Sequence, residues 1–134
     1  MIDPDAEATL EKDTLNLLSQ LGWEIVDAYH ECYSEGGPGD GPYLGRATRH
    51  EVVLRPRLRA ALEKLNPDLP SLALQQAIEQ LTRDRSALSL ARANQEIYQL
   101  LKHDVKVTYR DAQGEVQLVK VKVIDWDEPE KNDF

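Results

Sequence analysis

Apolar residues along this chain recur at helical spacing in four places and alternate with polar residues in two. Leu10, Leu17, Leu18 and Leu21 fall on one helical face, Gly22 stops that first helix, and Asp5 or Thr9 caps it. Trp23-Glu-Ile-Val-Asp27 then reads as a short strand with Trp23 and Ile25 on one side. A second helix runs from about Pro56 to Leu65. Proline suits a first helical turn, and Leu54, Leu58, Ala61, Leu62 and Leu65 mark one stripe. Asn66-Pro-Asp-Leu-Pro70 breaks the chain, and Pro70 opens a third helix with Leu74, Ala77, Ile78 and Leu81 inward. After Thr82-Arg-Asp-Arg-Ser86, a fourth helix carries Leu90, Asn94, Ile97, Leu100 and Leu101. Val105, Val107 and Tyr109 then alternate with polar residues. Val119, Val121 and Val123 do so again, with Lys120 and Lys122 outward. Asp111-Ala-Gln-Gly114 between the two runs predicts a β-hairpin whose loop needs Gly114 at positive φ.

The order helix, strand, three helices, hairpin shows no internal repeat and predicts an α+β (α/β-like) fold with a small, unfinished sheet. Gly36 to Pro42 holds four glycines and two prolines in seven residues, which predicts a flexible loop with no apolar anchor. It lacks GxxxxGK, which excludes a phosphate-cradling loop of that type. The last stretch, Val121 to Phe134, reads as a buried strand running into a polar connector, with no capping helix or charged tail. We therefore expect the front portion of a longer protein.

At 134 residues the chain is one domain's worth, read as a single globular unit with a real core. Apolar content of 41% with 30% charged residues excludes a disordered chain. No apolar run approaches the roughly 20 residues that cross a bilayer, and the acidic start Met-Ile-Asp-Pro-Asp5 is unlike a signal peptide. One cysteine, Cys32, rules out an intramolecular disulfide. Together these features predict a cytoplasmic protein with no membrane partner. The formal charge of −8, from 24 acidic against 16 basic residues, opposes a bulk electrostatic grip on nucleic acid. Basic residues nevertheless gather in one stretch, Arg46, Arg49, His50, Arg55, Arg57 and Arg59. Two readings fit it: a solvated helix face beside a loop, or a phosphate-facing surface.

Little of this chain reads directly as chemistry. His30, His50, His103 and Cys32 are scattered, and neighbours in His30-Glu-Cys32 point to opposite faces of an extended segment, against metal ligation. No serine lies in GxSxG and no Cys–His pairing is suggested, so nucleophilic catalysis has no candidate. The acidic first helix remains. Glu7 and Glu11, four apart, share a face, with Asp13 nearby. Acids also complement the positive end of a helix dipole, and spacing alone favours that role.

Several segments together resemble the N-terminal region of the restriction (R) subunit of type I restriction–modification enzymes. They are Ala8-Thr-Leu-Glu-Lys12 leading to Leu21-Gly-Trp-Glu24, Glu51-Val-Val-Leu-Arg-Pro-Arg-Leu-Arg59, Leu62-Glu-Lys-Leu-Asn-Pro-Asp-Leu-Pro70, the helix around Asn94, and Val123-Ile-Asp-Trp-Asp-Glu-Pro-Glu-Lys-Asn-Asp-Phe134. They follow the family's order and cover nearly the whole chain, with least correspondence at Gly36 to Pro42. The resemblance implies the start of a PD-(D/E)xK-like endonuclease domain, whose sheet the hairpin would begin. It also implies Mg²⁺ and ATP as cofactors of the parent enzyme, and modification (M) and specificity (S) subunits and DNA as its partners. In such sites an acidic cluster holds Mg²⁺, which activates water, while a lysine supports developing charge on the phosphate.

The resemblance implies that a helix ahead of the core sheet contributes a glutamate. Glu11, eleven residues before Gly22, falls at that place, with Glu7 the second candidate. The family's defining Asp and Glu-x-Lys lie beyond its asparagine–phenylalanine segment, at which this chain ends. No Glu here is followed two residues later by Lys, and Pro4-Asp5 and Pro67-Asp68 read as helix starts. The motor's phosphate-binding motif is absent as well. The chain alone is therefore expected to lack cleavage activity and to bind neither Mg²⁺ nor ATP tightly. Two rival readings stand beside this one. The first is an interaction module that pairs through an open sheet edge, with itself or with another subunit. The second is a small DNA-binding domain using Arg55, Arg57 and Arg59 within the Arg46 to Arg59 stretch, which net charge and few aromatic residues oppose.

Overall fold

The structure is a computed structural model describing residues 4–133; Met1, Ile2 and Asp3 of the acidic start, and Phe134 of the last stretch, lie outside the described residues. The chain divides into two compact units, one up to Leu44 and one from Gly45 onward.

In the first unit, α1 spans Pro4–Gln20. Asp5 and Thr9, the expected caps, lie inside it, and the Thr9 hydroxyl donates to the Asp5 carbonyl at 2.8 Å. Its C-terminus follows the sequence. Gly22 takes φ 92° and donates to the Ser19 carbonyl, and the Trp23 N–H reaches back to the Leu18 carbonyl, both at 3.0 Å. These two bonds form a Schellman motif, which a residue with a Cβ enters only under strain. The leucine stripe of α1 is uncovered: Leu10 is 67% and Leu21 68% exposed. Trp23–Asp27 corrects the sequence reading. No strand forms there, because no neighbouring strand pairs with it and neither face is covered.

The glycine-rich segment is another correction. It folds back around Cys32, which is buried and donates its N–H to the Pro42 carbonyl (2.9 Å) and its thiol to the Gly41 carbonyl (3.2 Å). A Cβ on Gly41 would stand 1.7 Å from the His30 carbonyl oxygen, so glycine here permits close packing of two backbone segments. The expected missing anchor is the cysteine itself.

The second unit holds α2 (Arg55–Leu65), α3 (Ser71–Thr82), α4 (Leu90–His103), β1 (Val105–Arg110), β2 (Val116–Val121) and a 3₁₀ turn at Pro129–Lys131. The strands pair antiparallel, with Val105 opposite Val121 and Val107 opposite Val119. In their connection Gly114 adopts the expected positive φ, 79°, and the Asp111 carboxylate accepts the N–H groups of Gln113 and Glu115. α3 is the centre of this unit and packs on α2, β1 and β2. Leu62, Ala73, Leu74, Ala77, Ile78, Val105, Val107 and Val121 form the buried core. Burying a leucine, isoleucine or valine side chain of this set contributes roughly 1.5–3 kcal/mol.

α4 lies at the margin. Ser89 caps it by accepting the Arg92 N–H, none of its residues is fully buried, and Leu90 and Asn94 are exposed. Asp104 ends it at φ 65°, the one positive-φ residue other than glycine among the described residues. The described fold is thus α+β, four helices with one open two-stranded sheet. No described helix is long and apolar enough to cross a membrane.

Candidate functional site

The acidic candidates come first. Glu7 and Glu11 are both exposed on α1, Glu7 within the first turn where the dipole favours an anion. Two carboxylates on one helix do not make a cation cage. Among the described residues no three or more His, Cys, Asp or Glu side chains converge where a metal ion could be held. The described residues therefore do not fit a complete Mg²⁺ site.

The basic stretch is largely engaged in its own folding. Thr48-Arg-His-Glu51 is a capping-box pattern, and the Glu51 carboxylate accepts the N–H groups of Ala47 and Thr48. Those two bonds, the Ala47 one first, hold the Glu51 carboxyl below the usual range, with Arg55 and Arg46 adding attraction. Arg46 donates to the Glu51 carbonyl at 2.8 Å. Arg59 pairs with Glu63 at 2.8 Å and donates to the Ser71 hydroxyl at 2.6 Å, tying α2 to the start of α3. Arg55 and Arg57 are exposed on the first turn of α2.

Sequence reasoning missed the polar clasp at the exit of β2. Asn66, which follows α2, is buried and treats Lys122 as a strand partner. Its amide donates to the Lys122 carbonyl and its Oδ1 accepts the Lys122 N–H, both at 2.8 Å, while Nδ2 also reaches the Leu62 carbonyl at 2.9 Å. Lys122 is consequently half-buried rather than outward, and its Nζ meets the Asp125 carboxylate at 3.3 Å. Asp125 is 5% exposed and accepts the N–H groups of Asp127 and Glu128. The Glu128 N–H, then Lys122 and the Asp127 N–H, depress its carboxyl against the opposing effect of burial. Asn132 closes the turn, accepting the Asp125 N–H and donating to the Asp125 carbonyl. The supposed polar connector is therefore an ordered turn. The available signal was an Asp followed by free N–H groups two and three residues on, an Asx pattern.

One concavity of about 400 Å³ lies between the end of α3 and α4, lined by Arg83, Arg85, Arg92, Gln95, Glu96 and Gln99 with neighbouring side chains. Arg85 forms its fixed wall. The side chain is 10% exposed and donates to the Gln80, Leu81 and Arg83 carbonyls, so a guanidinium satisfies the C-terminal carbonyls of α3. Arg83 at 2.9 Å and Arg85 at 3.2 Å share one oxygen of Glu96. Arg83 chiefly, then Arg85, keeps that carboxyl ionised to lower pH than usual.

The model of the family described as type I restriction enzyme R protein N terminus matches residues 5–134. The type I restriction enzyme HindI endonuclease subunit of Haemophilus influenzae is 32% identical over 128 residues, which is 96% of this chain. The chain spans 11% of that relative's length. No solved structure matches the chain.

Proposed function

The chain belongs to the type I restriction enzyme R protein N-terminal family, and on that premise we propose that it forms the front of the nuclease domain of a DNA-cutting subunit. In this reading the complete protein is an ATP- and Mg²⁺-dependent endonuclease and translocase. It acts on foreign DNA in the cytoplasm together with modification and specificity subunits, and the present chain alone cuts nothing. The family match across residues 5–134 carries the reading. The open hairpin, which offers unpaired edges to further strands, is consistent with it. Within that domain Glu11 is assigned to the metal-holding acids, with Glu7 one turn earlier on the same exposed face.

The test separates chemistry from helix electrostatics. In the complete subunit, Glu11→Ala abolishes Mg²⁺-dependent cleavage of plasmid DNA while leaving the fold intact. If Glu11 served only the helix dipole, the change would cost roughly 0.3–1 kcal/mol of stability and spare cleavage. The 134-residue chain leaves the same plasmid uncut, and metal-dependent cutting by it would overturn the assignment. One observation favours a second reading, a protein-interaction role: the uncovered leucine face of α1. A stable dimer of the chain that dissociates on Leu17→Glu would support that reading.

A further inference from the structure

We infer that the groove between the end of α3 and α4 binds phosphates of the duplex DNA backbone. This rests on the reading of the chain as part of a DNA-cutting subunit and assigns a contact that the reading itself does not name. The argument starts from charge. Three guanidinium groups, on Arg83, Arg85 and Arg92, line the groove against one carboxylate, Glu96, although the whole chain carries a formal charge of −8. The nearby Asp84 carboxylate is turned onto the Ser86 N–H at 2.8 Å, away from the pairing of Arg83 and Arg85 with Glu96. The groove is therefore locally cationic on a chain of opposite sign.

The hydrogen-bond inventory points the same way. Arg85 and Arg83 are held in place by their carbonyl and carboxylate partners, so their charge costs no further ordering when an anion arrives. Arg92, Gln95 and Gln99 lie on one face of α4 at intervals of three and four residues. Among the described residues these three side chains make no hydrogen bond; at Arg92 it is the backbone N–H that donates, to the Ser89 hydroxyl. An arginine and two amides with unspent donors, beside two anchored arginines, match a run of phosphate oxygens. The occupant follows from shape. A small anionic ligand is bound by burying most of its surface in an enclosing pocket, whereas this groove is open along a helix, as a passing backbone requires.

In the expected basic stretch Arg46 and Arg59 are likewise engaged, by Glu51, Glu63 and Ser71, and Arg55 and Arg57 are exposed, so that stretch serves as the control for the groove. The sequence reading passed over the groove because Arg83 and Arg85 lie in the turn after α3 and meet Arg92 only where that turn folds against α4, through Glu96.

Fluorescence anisotropy of a labelled duplex with the full 134-residue chain tests the inference, across about 50 to 200 mM salt. Arg92→Glu is expected to weaken binding about tenfold at the lower salt, and Arg92→Ala to flatten the log–log salt slope by about 0.9, one phosphate contact. Gln95→Glu, on the same exposed face, weakens binding as well, and unchanged circular dichroism shows that both charge variants fold. Inorganic phosphate and triphosphate, added at matched ionic strength, distinguish a free anion from the backbone. Weak competition by both supports a DNA backbone contact. Groove resonance shifts with phosphate but no duplex binding would overturn the DNA assignment. So would groove variants that bind as the parent does, or a loss confined to Arg55→Ala with Arg57→Ala. Any of those results leaves the proposed function intact, since that is read from plasmid cleavage by the complete subunit carrying Glu11→Ala.

Discussion

Asn66 shows how much one side chain holds. It supplies both hydrogen bonds that a neighbouring strand would give Lys122, and it fixes the path of the chain just past β2. Asn66→Ala leaves the Lys122 N–H and carbonyl without partners in a part-buried place. Each unsatisfied buried group costs about 1–3 kcal/mol, so the variant is expected to lose roughly 2–4 kcal/mol in urea unfolding. A loss below about 0.5 kcal/mol, the scatter of surface substitutions, would show that water replaces the amide freely. This residue was visible in the sequence only as part of the break Asn66-Pro-Asp-Leu-Pro70. A side chain that pairs with backbone 56 positions away leaves no local pattern. The same holds for Asp125, whose Asx turn is local but whose burial depends on Lys122 and Asn132.

At the scale of elements, identical stripes met different fates. Leu62 on α2 is fully buried, whereas Leu10 on α1 is 67% exposed, although both sit on faces that the 3.6-residue period marks as apolar. Leu62→Ala is expected to cost about 2–5 kcal/mol, since it removes a packed side chain under α3. Leu10→Ala as a control should stay within about 0.5 kcal/mol. Equal losses at both sites, measured by the same denaturant titration, would mean that the stripe of α1 is covered in solution. Periodicity reports that a face is apolar and not what lies over it. This is why the four helices, their stops at Gly22 and before Pro67, and the hairpin with Gly114 were legible. Contact-dependent features were not: the strand expected at Trp23–Asp27 needed a ladder partner, and the cationic groove needed the turn after α3 folded against α4.

For the whole molecule the governing quantity is charge, and here two effects oppose each other. The excess of eight negative charges destabilises the compact state at neutral pH by self-repulsion, and protonation relieves it. Against that, Glu51, Asp84, Glu96, Asp111 and Asp125 each have a carboxyl held below its ordinary range. The leading causes are the Ala47 N–H, the Ser86 N–H, Arg83, the Gln117 amide and the Glu128 N–H respectively. A carboxyl depressed on folding contributes stability that is complete above its unfolded value, about 3.9 for Asp and 4.3 for Glu. That contribution is lost as pH falls through the lower folded value. Unfolding free energy should therefore change little from neutral pH down to about 5 and then drop through the acid window. Asp125 isolates the second effect, being buried and bound to two N–H groups and to Lys122. Asp125→Asn keeps an oxygen for both N–H groups but loses the charge. The variant should be less stable than the parent at pH 7, and the two should converge once both carry a neutral side chain, below the folded value of Asp125. Denaturant titrations at successive pH values check this. Curves that stay parallel through the acid window would mean that the Asp125 carboxylate gains nothing from its turn, and that the acid response is set by the other depressed carboxyls and by relief of self-repulsion.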